Sequence, residues 1–411
     1  MAGQRPRFEV ADVVRAYGDD YRRTYPASAA QERVLRHIAA CRTVALGGHV
    51  DECEDGCGFK RISYNSCRDR HCPKCQGPRR AEWLSKRLEH LLPVPYFHVV
   101  FTIPEQLNPL ALRNKAVVYK ILFQAASRTL LELARDPKRL GAVIGVTAIL
   151  HTWGQNLLLH PHLHCVVTGG GLAPDGTRWS AGRERYFLPV KVLGKLFRGK
   201  FLALLELARK DGQLEFAGST AELADPLEWA GLRDRLYRKD WLVYAKPPFG
   251  GAEQVFRYLG RYTHRVALSN HRIVNVADGK VTFTVKDYKD GARRKTMTLS
   301  AVEFLRRFLL HVLPKGFVRI RHYGLYASRN VNTKLAVARR LLEPTPPAES
   351  PQRSRLPESA SWWERFREQT GVDVMACPCC GGRLVRRPAH FLELLATALG
   401  EGLARAPPAN T

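Results

Sequence analysis

Long apolar runs are missing from this 411-residue chain. No stretch of about 18 apolar residues is available to span a bilayer, which excludes a membrane-spanning helix. The charged opening MAGQRPRFEV lacks the apolar segment of a secretory signal. Acidic residues are also scarce: 38 Asp and Glu stand against 65 Lys and Arg, a formal net charge of +27. A surface with so positive a field makes nucleic acid the first partner to consider. Internal repeats are absent as well. These features predict a cytoplasmic, nucleoid-associated protein with no membrane partner. In that reducing compartment its ten cysteines are expected as metal ligands or free thiols, not disulfides.

The length suggests two or three domains at roughly 150 residues each. Residues 8–45 carry helical apolar spacing, as in Val10, Val13 and Val14 and again in Val34, Leu35 and Ile38. A cysteine-rich segment follows from 41, and a helical stretch is expected over 81–92. The aromatic and β-branched YFHVVFTI (96–103) reads as a strand, and 115–135 as a helix. AVIGVTAILHTWGQN (142–156) and the stretch running into VVTGGG read as a hairpin with a loop near Asn156 to Leu159. VFRYLGRYTHR (255–265) is a helix candidate. RIVNVADGKVTFTVKDY (272–288) reads as two strands about Asp278-Gly279, the pair a type I′ turn requires. A helix over 301–312 and a strand over 317–326 complete the pattern. Strands interleaved with helices and hairpins point to an α+β fold.

The expected organisation is a helical module over 1–40, a zinc-binding, DNA-binding domain over 41–92 and a catalytic domain over 93–340. A Pro- and Ser-rich linker (341–365) leads to a tail (366–411) bearing CPCCGG.

Cys53, Cys57, Cys67, His71, Cys72 and Cys75 fall within 23 residues. Cys53-x3-Cys57 and Cys72-x2-Cys75 form two chelating halves, the layout of a structural zinc ribbon, with Cys67 and His71 as alternates or ligands of a second ion. Thiolates suit zinc because it is borderline soft and takes closed tetrahedral sites. Arg68 and Arg70 are among the cations that give this segment a basic face for DNA. Cys377-x2-Cys380 in the tail is only half a site.

LLLHPHLHCV (157–166) sets His160, His162 and His164 on one strand face. Residues two apart in a strand are about 6.6 Å apart, so two imidazoles can converge on one ion, whereas three spread over about 13 Å. The working pair is 160/162 or 162/164, with the second preferred because Leu163 can anchor the opposite face. A third ligand is expected from across the hairpin loop, with Gln155 the candidate. On the helix candidate, Tyr258 and Tyr262 stack at i and i+4, beside a row of cations at Arg257, Arg261 and Arg265. Tyrosines, arginines and a histidine-held divalent ion on a basic chain suit attack of a phenolate on a DNA phosphodiester. Arg319, Arg321, Tyr323 and Tyr326 on the late strand are candidates to stack bases and hold phosphates.

ALGGHV (45–50), SCRDRHCPKC (66–75), TWGQNLLLHPHLHCVVTGGG (152–171), YLGRYTHR (258–265) and IRHYGLYASR (320–329) together resemble the two-tyrosine rolling-circle transposases of the HUH endonuclease superfamily, the IS91-type insertion-sequence enzymes. The resemblance runs from about residue 40 to 335. It implies a zinc-binding domain followed by a ferredoxin-like or RRM-like antiparallel palm. It further implies His162 and His164 as the paired metal ligands, Tyr258 and Tyr262 as nucleophiles, Mg²⁺ or Mn²⁺ as the catalytic ion, and single-stranded DNA at transposon ends and target DNA as partners. Two other readings share these residues: a rolling-circle replication initiator or relaxase, and a non-catalytic zinc-dependent DNA-binding regulator.

Overall fold

A computed structural model describes residues 6–75, 83, 87, 90–182, 188–246, 267–287, 290–343, 361, 363–364, 367 and 371–397. The helix expected at 255–265, with Tyr258, Tyr262, Arg257, Arg261 and Arg265, lies outside the described residues, as do Tyr288 and most of the segments 81–92 and 343–362.

The centre is a five-stranded sheet of β3 (Tyr96–Thr102), β4 (Gly145–Trp153), β5 (Leu159–Thr168), β8 (Val243–Lys246) and β12 (Ile320–Gly324), while β6 (Gly170–Leu172) and β7 (Trp179–Ala181) pair separately. Its order is β12-β4-β5-β3-β8, with every neighbouring pair antiparallel. The expected hairpin is β4 and β5, joined through residues 154–158. Strand alternation sorts side chains to the two faces. Phe97, Val99, Phe101, Val146, Ala148, Leu150, Leu163, Cys165 and Val167 form one face. They pack under a long helix, Lys115–Arg135, and a second, Val190–Lys210. The first of these occupies the span that its sequence predicts. The second carried no expectation, nor did the helix at Pro226–Arg238.

The opposite face carries His98 on β3, His151 on β4 and His162 and His164 on β5. Farther along, Tyr96, Ile149 and Val166 on that face pack with Leu325 and Tyr326.

A second core joins the N-terminal helices α1 (Val10–Thr24) and α2 (Ala29–Ala40) to the helix Ala301–Leu310 and to a sheet of β9 (Ile273–Ala277), β10 (Lys280–Asp287) and β11 (Arg293–Ser300). Asp278 and Gly279 between β9 and β10 have φ of 50° and 67°, the left-handed pair of a type I′ turn. Leu157, from the loop between β4 and β5, is fully buried in this second core. The loop is therefore clamped from outside: Arg272 donates to the Gln155 carbonyl, Arg307 to that of Asn156 and His311 to that of Leu157.

A third sheet, in the order β13-β1-β2, places the tail strand β13 (Leu384–Pro388) against β1 (Gly48–Cys53), whose hairpin partner is β2 (Lys60–Tyr64). Helices beside antiparallel sheets make the chain α+β.

Candidate metal centres

The histidine face is assembled by strand register. His151 on β4 lies opposite His162 on β5, and His164 follows two residues on, so its side chain points the same way. Nε2 of His162 and Nε2 of His164 are 3.1 Å apart. One nitrogen of His151 lies within 4.8 Å of theirs. Ligand nitrogens held at about 2.1 Å on adjacent positions of an octahedral ion sit about 3 Å apart, so the spacing of the pair fits a divalent ion.

The remaining nitrogens are engaged in the sense a metal site needs. His162 Nδ1–H donates to the His160 carbonyl at 2.6 Å. His164 Nδ1 is 2.8 Å from Nε2 of His98 on β3. With Nδ1 as the donor in both rings, both Nε2 lone pairs face the common point. Burial holds His162 down at about 4 and His164 well below the usual imidazole value, with the neighbouring His151 adding to the effect at His164. Both rings are thus neutral, as ligation requires. The Trp153 ring stacks on His151 at 4.6 Å and 17°, which fixes the orientation of that ring.

His160 is exposed, outside this group, and contributes its carbonyl. Gln155 lies in the connecting loop, four residues past His151, where its carbonyl accepts from Arg272. The residue the strands bring to the pair is His151. Its sequence signal is symmetry: His151 and His162 are equidistant from the loop centre at 156–157, so a tight hairpin pairs them. His98 has no comparable signal, because its strand is separated from β5 by the whole of the helix Lys115–Arg135.

The cysteines gather differently from the expected single set. Cys53, Cys57, Cys72 and Cys75 are not one cluster. Cys41, Cys67, Cys72 and Cys75 form one group, and Cys53, Cys57, Cys377 and Cys380 another, each with its sulfurs within 4.8 Å of one another. The reason is the β1–β2 hairpin. Cys53 and Cys57 ride at its tip, and the six residues of β1 carry them about 20 Å from the base. Cys41 and Cys67 flank that base, which Arg42 closes by donating to the Asn65 carbonyl.

In the first group Cys41 Sγ is 3.4 Å from Cys75 and 3.6 Å from Cys72, and Cys67 is 3.6 Å from Cys75. Four sulfurs converging this closely with no disulfide between them are what a closed tetrahedral zinc site uses. His71, an alternate ligand by sequence, is instead engaged on both nitrogens: Nδ1 with Asp69 at 3.1 Å, and Nε2 accepting from the Leu313 N–H at 3.3 Å. Cys41 falls outside the ligand set that spacing suggests because 25 residues separate it from Cys67, far beyond a usual half-site.

Of the candidate phosphate-binding cations, Arg68 is exposed. Arg70 directs its guanidinium to the Phe317 and Pro314 carbonyls. Arg321 lies over the rings of Phe123 and Phe317, at 4.3 and 5.2 Å. Burial, with Arg70 nearby, lowers Arg319 to about 10. Tyr326 is buried with its hydroxyl 2.6 Å from that of Tyr96, so its ring is not a surface for stacking bases. Tyr323 is partly buried against the main core.

Comparison with known families and proteins follows the same division of the chain. Residues 145–334, which contain the histidine hairpin, match the family described as "Putative transposase". Residues 13–103, with the first cysteine group, match "Transposase zinc-binding domain", a family of IS91 type. The chain is 52% identical over 373 residues to the "Putative transposase y4qJ" of Sinorhizobium fredii, covering 90% of this chain and 92% of that protein. It is 27% identical over 353 residues to the "Transposase for insertion sequence element IS801" of Pseudomonas savastanoi pv. phaseolicola, covering 85% and 81%. No solved structure matches.

Proposed function

The chain belongs to the IS91-type insertion-sequence transposases with a zinc-binding domain, and from that premise we propose that it cuts and rejoins single strands of DNA at transposon ends through phosphotyrosine intermediates. The observation that carries this reading is the convergence of two Nε2 atoms at 3.1 Å with His151 beside them. A site of three neutral imidazoles leaves positions for water and phosphate oxygens. The fourth histidine, His98, and the His160 carbonyl hold the ligand rings in the required tautomer.

Mg²⁺ or Mn²⁺ bound at His151, His162 and His164 would polarise the non-bridging oxygens of the scissile phosphate. Tyr258 or Tyr262 supplies the nucleophile. Its phenolate oxygen bonds to phosphorus as the bond from phosphorus to the 3′ oxygen breaks, and a proton ends on that oxygen. The products are a 5′-phosphotyrosine and a free 3′-hydroxyl. The ester energy is kept in the covalent link, so a second strand's 3′-hydroxyl can reverse the step without ATP. Two tyrosines allow one cleavage at each end in a coupled transfer, as the rolling-circle route requires.

Phosphate binding is assigned to Arg257, Arg261 and Arg265 beside the tyrosines and to exposed Arg68. Arg70 and Arg321 act closer to home, bracing the segment that leads into the late strand, and Arg319 is buried beside them. Zinc has a structural role in the cysteine segment, next to the N-terminal helices.

The proposal is tested by incubating the full chain with a single-stranded oligonucleotide from its own element's end. The expected result is a site-specific nick that needs added Mg²⁺ or Mn²⁺. Binding without any nick on that substrate would leave a DNA-binding regulator as the better account.

A further inference from the structure

The matched zinc-binding family ends at residue 103, and the tail cysteines lie far beyond it. We propose that Cys53, Cys57, Cys377 and Cys380 form a second tetrathiolate zinc site, a clasp that ties the tail of the chain to its N-terminal hairpin.

Each half is a knuckle built to present two sulfurs. In the N-terminal half the Cys53 N–H donates to the Phe59 carbonyl, and Gly56 and Gly58 take φ of 71° and 79°. In the tail the Cys377 N–H donates to the Gly382 carbonyl, the Gly381 N–H to that of Cys377, and Gly381 has φ of 77°. The halves meet face to face. Cys53 Sγ is 3.4 Å from Cys380, and Cys57 Sγ is 3.5 Å from Cys377. Sulfurs at about 2.3 Å from a tetrahedral zinc are about 3.8 Å from one another, whereas a disulfide needs about 2.05 Å. The spacing is that of ligands around an ion.

The surroundings are matched to the same docking. The Glu54 N–H donates to the Arg383 carbonyl, linking the two knuckles through backbone. A Cβ at Gly382 would fall 1.8 Å from the Asp55 carboxylate, so the two knuckles lie against one another at this point. Asp51, fully buried, accepts from Arg61 on its own hairpin and from Arg386 on the tail strand. Arg387 donates to Glu52. Five residue pairs join β13 to β1.

The two cysteine groups differ in access. Cys41, Cys72 and Cys75 are buried, whereas Cys57 and Cys380 are exposed. The clasp is therefore the ion that a chelator reaches first, and its loss frees the tail strand while the inner site stays closed.

Zinc content of the full chain, purified under reducing conditions, is expected to be two ions per molecule, falling to one in the Cys377→Ser/Cys380→Ser variant with its helical circular dichroism retained. A second measurement needs no variant. A chelator titrated into the wild-type protein should release zinc in two steps, and hydrogen exchange at 384–388 should rise with the first step and not the second. One ion in the wild type, two in the variant, or a non-reduced mass 4 Da light, indicating two disulfides, would overturn the clasp. Exchange at 384–388 indifferent to the first step would do the same.

Discussion

His151 and His162 face one another across the β4–β5 hairpin, their ring centroids 5.4 Å apart and their planes nearly perpendicular. Strand register alone places them there, and the consequence is that the third position beside the His162–His164 pair is filled by a histidine. His151→Ala is expected to lower metal-dependent nicking at least ~100-fold, as loss of a ligand should, while Gln155→Ala stays within a few-fold of wild type. The check is a nicking assay across a Mn²⁺ titration. Equal losses in the two variants would make the amide a ligand as well.

His98 Nε2 lies 2.8 Å from His164 Nδ1, and in the proposed site it is the acceptor that keeps the His164 proton on Nδ1. His98→Phe keeps the ring volume but removes that acceptor, so Mn²⁺ affinity should fall ~10–100-fold. His98→Gln offers a carbonyl oxygen in the same region and should recover part of the loss. Calorimetric titration of Mn²⁺ into the apo catalytic site reads both. An unchanged dissociation constant for the Phe variant would reduce His98 to packing.

Acid should weaken the fold well before carboxylates are protonated. His311 is buried between Thr152 and the Leu157 carbonyl, and desolvation lowers it to about 3. His322, desolvated and beside Arg87, is lowered to about 4. Both pKa values are depressed in the folded chain, so the unfolded chain binds more protons. Their stabilisation is present in full above about 6.5 and is lost as pH falls toward 4 and 3. Each contributes a slope of ~1.4 kcal/mol per pH unit inside its window. Urea denaturation between pH 7 and pH 5, without added Mg²⁺ or Mn²⁺, should show the decline. A flat profile would mean that these imidazoles titrate in the fold as they do in the unfolded chain.

Gly324 ends β12 with φ of 62°, and a Cβ there would lie 1.9 Å from the Ile144 carbonyl oxygen. Gly316 has φ of 73° with nothing within 4 Å of the same atom. Gly316→Ala should cost about 1 kcal/mol for the left-handed backbone alone. Gly324→Ala must also move backbone against backbone and should cost ~3 kcal/mol or more. Thermal unfolding of the pair of variants separates strain from collision, and equal shifts would contradict the close approach of β12 to residue 144.

Elements with a local signal were legible: the helix Lys115–Arg135 from its apolar spacing, the β4–β5 hairpin from its alternation, and the turn at Asp278-Gly279 from its left-handed pair. The candidate site was legible where its residues share one strand face, as with His162 and His164, which the structure brings to 3.1 Å. It was less legible where a partner comes from elsewhere. His98 reaches His164 across a strand pairing that no local pattern encodes. Cys377 and Cys380 meet Cys53 and Cys57 through a strand pairing that joins opposite ends of the chain. The cysteines gather otherwise than their spacing suggests for a geometric reason: spacing in sequence does not report that a hairpin holds its tip away from its base.

The proposed reaction joins Tyr258 or Tyr262 covalently to DNA with the help of a divalent ion at the histidine site. The most direct measurement is mass spectrometry of peptides after reaction with a single-stranded element-end oligonucleotide and Mn²⁺, followed by nuclease and trypsin digestion. The account predicts a nucleotide 5′-phosphate on Tyr258 or Tyr262, absent from His162→Ala and from Tyr258→Phe/Tyr262→Phe, with DNA binding by the double variant nearly unchanged. A nucleotide adduct on any other residue, or one that persists in the double variant, would contradict it.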